Sequence, residues 1–387
     1  MKAFLILADG HIFEGKSIGA RKEIISELVF NTSMTGYLEV LTDPSYAGQT
    51  VCMTYPLIGN YGICHEDEES IRPWLDGYIV RELSKTASNF RCEDTLSNYL
   101  KRFDITGICG IDTRQLTKIL RENGTMNCMI TTDENYNLVD IMPKLKEYTT
   151  GHVVEKVTCS EKYMLYAEKE DAVQNLAIAP QIQSGNSQTT EKNQDSVKNV
   201  ALLDLGAKKN IAKSLAKRGC NVTIYPATTK AEEILAKNPD GIMLSNGPGD
   251  PAVCTDMIAE IKKLYASDIP IFAICLGHQL MALATGAKTK KMKYGHRGGN
   301  HPVKDLETGR VYISSQNHGY VVDTDTIDNN IAAPAFVNVN DGTNEGLKYI
   351  GKNIFTVQFH PEACPGPQDS AYLFDRFIDM MGGQENA

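Results

Sequence analysis

The chain has 387 residues, 42% of them hydrophobic and 22% charged, with 39 Lys and Arg against 48 Asp and Glu for a net charge of −9. That length supplies two ordinary domains with cores of their own, and the composition is far from the disordered and membrane classes. The acidic balance argues against a nucleic-acid partner, and no apolar run reaches the ~20 residues that cross a bilayer. The start MKAFLILADG runs straight into strand-like sequence instead of a cleavable leader, and the ten cysteines carry no CxxC spacing, so a cytoplasmic protein with reduced thiols is expected.

Residues 1–165 show short strand candidates broken by Gly, Asn, Thr and Asp turns, as in ELVFNTSMTGYLEVLTDPSYAGQTVCMTYP, followed by the helical DTRQLTKILRENG. This pattern predicts an α+β domain. Residues 166–198 end in QSGNSQTTEKNQDSVKN, too polar to bury a core, and read as a linker or mobile loop. From 199 to 387 apolar strands alternate with amphipathic helices: VALLDLG, KKNIAKSLAKRG, NVTIYP, TKAEEILAKN, GIMLSNGPGDP, a helix through Ala266, then IPIFAIC. Such alternation predicts an α/β domain with a doubly wound, mostly parallel sheet covered on both faces. Strand candidates VYISS, AFVNVN, GLKYI and IFTVQFH and a closing helix DSAYLFDRFIDMM follow.

Chemistry concentrates in this second half. Cys275 lies between the strand IFAI and a helix beginning near Leu276, a nucleophile-elbow arrangement in which Gly277 permits a sharp turn. A thiol there meets the free N–H groups of a helix start; the competing reading is one more buried cysteine. His360 closes the strand IFTVQFH, and strand ends of a parallel sheet share one crevice, so it can meet Cys275 from 85 positions away. Glu362 stands at orienting distance from that imidazole. Gly247 and Gly249, around Pro248, can bring backbone amides to a ligand; one of them with the amide of Leu276 would suit an oxyanion hole, although Gly-Pro-Gly is also an ordinary turn. Asn317, Gly319 and Tyr320 in SSQNHGY offer contacts for a small zwitterion, and His318 competes with His360 for the base role without a following carboxylate. The segment GHRGGNHP, with His296 and His301, lacks an acid or cysteine at ligand spacing and reads as a loop, so no metal site is expected. No phosphate-loop or GxGxxG motif supports a nucleotide site.

Together ICLGHQ, SNGPGDP and FHPE resemble the class I, triad-type glutamine amidotransferases over residues 199 to about 385. FNTSMTGYLEVLTDPSYAGQ, YPLIGNYG, GIDTRQLTKILRENG, KYGHRGGNHPVKD and QNHGY further resemble the carbamoyl phosphate synthetase small-subunit family, so the likeness covers nearly the whole chain. It implies a flavodoxin-like amidotransferase domain in which Cys275 is the nucleophile, His360 the general base and acid, and Glu362 the orienting carboxylate. Glutamine would be held by Ser45 from the first domain and by Gly247, Gly249, Leu276, Gln279, Asn317, Gly319 and Tyr320. Released ammonia would pass through a tunnel to a large subunit, in a heterodimer or higher oligomer. That partner would use ATP and Mg with bicarbonate to make carbamoyl phosphate for arginine and pyrimidine synthesis, this chain needing no cofactor.

Two departures stand out: Ala273 occupies a position where the family often has Gly, and residues 166–198 match no family motif. The same C-terminal motifs serve amidotransferases that feed anthranilate or GMP synthesis, but those have a different first domain or none. A scaffold that had lost the chemistry would be expected to lack one of the triad residues, and a cysteine peptidase on this fold would cleave peptides without a partner. Limited proteolysis is expected to cut first within residues 166–198. Protection of that stretch, with the first cut between 200 and 380, would displace the domain boundary.

Overall fold

The computed structural model describes residues 1–168 and 197–382. Period-two burial builds the first domain. In Lys2–Leu7, Ala3, Leu5 and Leu7 join one cluster with Leu28, Phe30, Ile79 and Ile130, while Ile6 points the other way, under Ile141 and Leu145 of the helix Leu138–Glu147. Seven strands close a barrel in the order Lys2–Leu7, Ile12–Ser17, Thr106–Cys109, Gly77–Val80, Gln49–Met53, Ile24–Asn31 and Met126–Thr131, the last pairing back onto the first. Closure leaves no free edge. The expected helix appears as Thr113–Asn123, its N-cap Asp112 accepting from the Gln115 amide. A second helix, Tyr37–Thr42, stands where short strands were expected. Its apolar Tyr37, Leu38, Val40 and Leu41 are all buried, at a spacing that suits one helical face.

The second domain is a ten-stranded sheet in the order Tyr163–Leu165, Cys220–Pro226, Lys198–Asp204, Gly241–Leu244, Ile271–Ile274, Ile354–Val357, Asn344–Tyr349, Ala332–Asn338, Thr289–Asp305 and Val311–Val322. The five strands from Cys220–Pro226 to Ile354–Val357 are parallel. Along Lys198–Asp204, Val200 and Leu202 pack with Ile211, Leu215, Phe374 and Phe377, and Ala201 and Leu203 with Ile234, Ile261 and Leu280. Helices therefore cover both faces, as the doubly wound reading requires. The other five strands join by antiparallel pairing, which makes the sheet half parallel instead of mostly so.

Two expectations change. GHRGGNHP is not a loop but part of the strand Thr289–Asp305, where His296 pairs with His318 and Arg297 with Asn317. Its glycines sit at register shifts of that pairing, with Gly295 at φ 71°, so a turn-like composition marks bulges here. The chain also crosses between domains ahead of residue 165, because Tyr163–Leu165 adds an antiparallel edge strand to Cys220–Pro226. Most of the expected linker, 169–196, lies outside the described residues. All ten cysteines are unpaired, and among the described residues no helix is long and apolar enough to cross a membrane.

The two domains meet closely. Lys291 pairs with Glu27 at 2.6 Å, the Thr125 amide donates to Lys293 O at 2.9 Å, and the Lys209 amide donates to Glu69 O at 2.7 Å. Beneath the parallel strands Phe272 stacks on Phe355 at 4.4 Å between centroids and meets Phe374 and Phe377 at 5.6 and 5.8 Å. Phe272→Ala removes this centre, and urea unfolding should show a loss of about 3–5 kcal/mol. A loss under ~1 kcal/mol would mean that the cluster collapses around the gap.

Candidate active site

Parallel pairing of Ile271–Ile274 with Ile354–Val357 puts Ile274 opposite Val357, and the Cys275 amide donates to Val357 O at 2.8 Å. Cys275 then turns at φ 52° and ψ −104° into the helix Leu276–Ala284. A non-glycine residue rarely adopts this left-handed region, and here the strain belongs to the elbow that lifts the thiol off the sheet. Gly277 is needed for contact: a Cβ there would lie 2.6 Å from Leu244 O. Burial first, then Asp43 and Glu362, push the Cys275 thiol well above its ordinary value. This favours the neutral thiol, which donates to Asn317 O at 3.6 Å.

Three residues past Val357, the His360 amide donates to Ser315 O at 2.9 Å. Its Nδ1 lies 2.7 Å from Glu362 Oε1, while Nε2 is buried and has no hydrogen-bond partner among the described residues. Glu362 Oε1 also meets Lys208 Nζ at 2.8 Å, and Lys208 donates to the carbonyls of Ala363 and Cys364 at 2.7 and 3.1 Å. Burial would raise the Glu362 carboxyl; Lys208 and then His360 outweigh it and hold the group down at about 2. The carboxylate is thus fixed in its charged form, and the Nδ1 proton of His360 faces it, leaving Nε2 to accept a proton.

A cavity of about 500 Å³ opens beside Cys275 between the domains, lined by Ser45, Gly247, Gly249, Gln279, Asn317, Gly319 and Tyr320. Leu276 is buried under it, against Gly247. His360 lines a separate small space behind, with Asp43, Lys208 and Asn317. Asp43 joins the halves: Oδ1 accepts from the Ser45 amide at 2.9 Å, and Oδ2 accepts from Asn317 Nδ2 at 2.8 Å. Asn246 Nδ2 donates to Ser45 Oγ at 2.9 Å.

Residues 201–380 match the glutamine amidotransferase class-I family, and residues 5–130 match the carbamoyl-phosphate synthase small chain, CPSase domain. The chain is 52% identical over 378 residues to the carbamoyl phosphate synthase small chain of Clostridium perfringens (strain 13 / Type A), covering 98% of this chain and 99% of that protein. The small chains of Syntrophotalea carbinolica and Photorhabdus laumondii are 48% and 46% identical, covering 98% of this chain in each case and 98% and 96% of their own lengths. The chain belongs to the carbamoyl phosphate synthase small-chain family. Its second domain is a class I glutamine amidotransferase domain.

Within this small chain, Lys208 and Asp43 are the residues that the sequence reading missed. Lys208 follows LDLGA at a strand end, where a fully buried lysine has no local signal; Asp43 precedes Pro44 and reads as a turn former. The tertiary fold also brings Glu345 to His296 and His318, with ligand atoms within 4.8 Å of one another. His296 lies 2.9 Å from Asp341 and 3.5 Å from Glu345. Burial lowers its pKa, but the two carboxylates outweigh this and raise it to about 9. These contacts tie the strand Thr289–Asp305 to the Asp341 turn and to Asn344–Tyr349.

Lys208→Met leaves the Glu362 charge buried without its cation, so the carboxyl must take a proton at higher pH than before. The acid limb of the kcat profile for glutamine hydrolysis should move upward by about one pH unit or more, with kcat near neutrality reduced by about 10- to 100-fold. An unmoved limb would show that Lys208 only fills space.

Proposed function

We propose that this chain is the glutaminase subunit of a carbamoyl phosphate synthase and that Cys275, His360 and Glu362 carry the reaction. The observation that carries the reading is the buried relay from Lys208 through Glu362 to His360, ending in a free Nε2 at the strand end beside the elbow of Cys275. His360 acts as the base during attack, because burial beside Asp43 and Glu362 disfavours a free thiolate at Cys275. The Cys275 sulfur bonds to the side-chain amide carbon of L-glutamine as its proton passes to His360. The C–N bond then breaks, and that proton leaves with the nitrogen as ammonia. Water, deprotonated by His360, attacks the thioester, releasing glutamate and restoring the thiol. Glu362 holds the imidazole in one tautomer and stabilises its charged form.

The amide of Leu276 and one from Gly247 or Gly249 would receive the oxyanion of each tetrahedral intermediate. Ser45, Asn317, Gly319 and Tyr320 would hold the amino-acid end. Gln279 donates through Nε2 to Tyr320 O at 2.8 Å and to Gln358 Oε1 at 2.9 Å, which leaves its carbonyl oxygen as an acceptor suited to the α-ammonium. Ammonia would travel to a large subunit that uses bicarbonate, ATP and Mg to make carbamoyl phosphate for arginine and pyrimidine synthesis, with no cofactor in this chain. The small space behind His360 shares Pro365 with a second, surface cavity lined by Gly36, Tyr61 and Gly366, a course that suits such a transfer.

In the complex with the large subunit, Cys275→Ala should lower glutamine-driven carbamoyl phosphate formation by ~10⁴-fold or more while ammonia-driven formation persists. Product still made from glutamine would refute the nucleophile. Loss of the ammonia-driven reaction as well would assign Cys275 to assembly.

A further inference from the structure

The cluster of His296, His318 and Glu345 has no part in the chemistry above, yet each of its side chains is held in the pose of a ligand. His318 donates from Nδ1 to Tyr320 O at 2.8 Å, which leaves a lone pair on Nε2; that atom is buried and has no hydrogen-bond partner among the described residues. His296 donates from Nε2 to the Asp341 carboxylate at 2.9 Å, and its Nδ1 is likewise buried without a hydrogen-bond partner, 3.5 Å from Glu345 Oε1. Glu345 is fully buried. Asn338 Nδ2 donates to its Oε1 at 2.9 Å and Gln316 Nε2 to its Oε2 at 2.8 Å, so each oxygen keeps a lone pair to offer. The two histidines are 6% and 5% exposed, and their rings meet edge to face at 5.1 Å between centroids.

Two imidazole nitrogens and a carboxylate oxygen, each oriented by a hydrogen bond from behind, are the donor set and outer support of a zinc site. We propose that His296 Nδ1, His318 Nε2 and Glu345 bind one divalent transition-metal ion of the zinc class. The ligand atoms lie within 4.8 Å of one another, and side-chain shifts of under ~1 Å would set them at zinc-ligand distances. Against the cost of burial, Asp341 and Glu345 hold a proton on His296; the ion takes the place of that proton. With both imidazoles neutral, Glu345 in the shell and Asp341 behind it balance the double charge. The acid that GHRGGNHP lacks at ligand spacing is thus supplied by another strand, Asn344–Tyr349. The ion is a tether and not a reagent. It joins that strand to Thr289–Asp305 and Val311–Val322, and His318 stands between Asn317 and Gly319, so fixing its ring fixes one border of the glutamine cavity. The inference stands apart from the glutaminase reading.

The test titrates Zn²⁺ into the full-length chain after metal has been stripped from it, in competition with a chromophoric chelator. The chain should take up one ion with a Kd of about 1 μM or tighter, and zinc at ~100-fold above that value should raise the Tm by about 3 °C or more. Glu345→Gln, which nearly keeps the shape and loses the charged ligand, should weaken uptake by about 100-fold and abolish the Tm shift. His318→Gln should do the same and carries the test if Glu345→Gln does not fold. Co²⁺ in place of zinc should give the visible bands of a tetrahedral ion without thiolate charge transfer, which separates this site from the cysteines. No uptake at the higher zinc concentration, uptake that both variants leave unchanged, or a thiolate signature would each overturn the site, leaving the three residues as an ion-paired contact between strands.

Discussion

Parallel pairing between two four-residue strands, Ile271–Ile274 and Ile354–Val357, decides where everything else in the second domain must sit. Because parallel strands end on the same edge of a sheet, the residues that follow each one emerge into a single crevice. Cys275 follows the first strand at once, and His360 follows the second after three residues. Phe272 and Phe355, stacked at 4.4 Å, fix that register from below. A slip of one residue in either strand would separate the aromatic pair onto opposite faces of the sheet and change the face from which the histidine emerges.

The crevice is electrostatically unusual, because it concentrates charge where water is scarce. Glu362 and Lys208 are both buried and meet at 2.8 Å. Burying such a pair costs desolvation that ordinary stability would not require, and it holds the carboxylate ionised beneath the imidazole. The same surroundings push the thiol of Cys275 toward its neutral form. Both effects follow from burial in one crevice, with charge held at Glu362 and disfavoured at the thiol.

Neither domain makes this site alone. The first domain delivers Ser45 and Asp43 on the turn Pro44–Tyr46 and the residue before it, and Asp43 accepts hydrogen bonds from Ser45 within its own domain and from Asn317 across the interface. The turn leads directly into the barrel strand Gln49–Met53, which ties its position over the cavity to the closed sheet. Arg297 belongs to the same border: its backbone carbonyl accepts from Thr32 of the first domain, and its side chain faces the cavity.

The alternation of apolar strands and amphipathic helices after residue 199 was enough to read the doubly wound core, because both periodicities are local properties of the chain. Cys275, His360 and Glu362 stood out in the sequence as candidates because a strand-to-helix elbow and a strand end are marked by short motifs, and the fold sets His360 Nδ1 2.7 Å from Glu362 Oε1. Other features depend on residues distant in sequence, and only the tertiary structure decided them. GHRGGNHP has the composition of a loop, yet cross-strand pairing with Val311–Val322 makes it a bulged strand. Barrel closure depends on a hydrogen-bonded return from Met126–Thr131 to Lys2–Leu7 that no local pattern announces. Lys208 looks like any lysine before a helix until Glu362, 154 positions later, is folded against it. Arg297, within the segment read as a loop, is buried where the two domains meet, because burial is a property of the packed chain and not of its sequence.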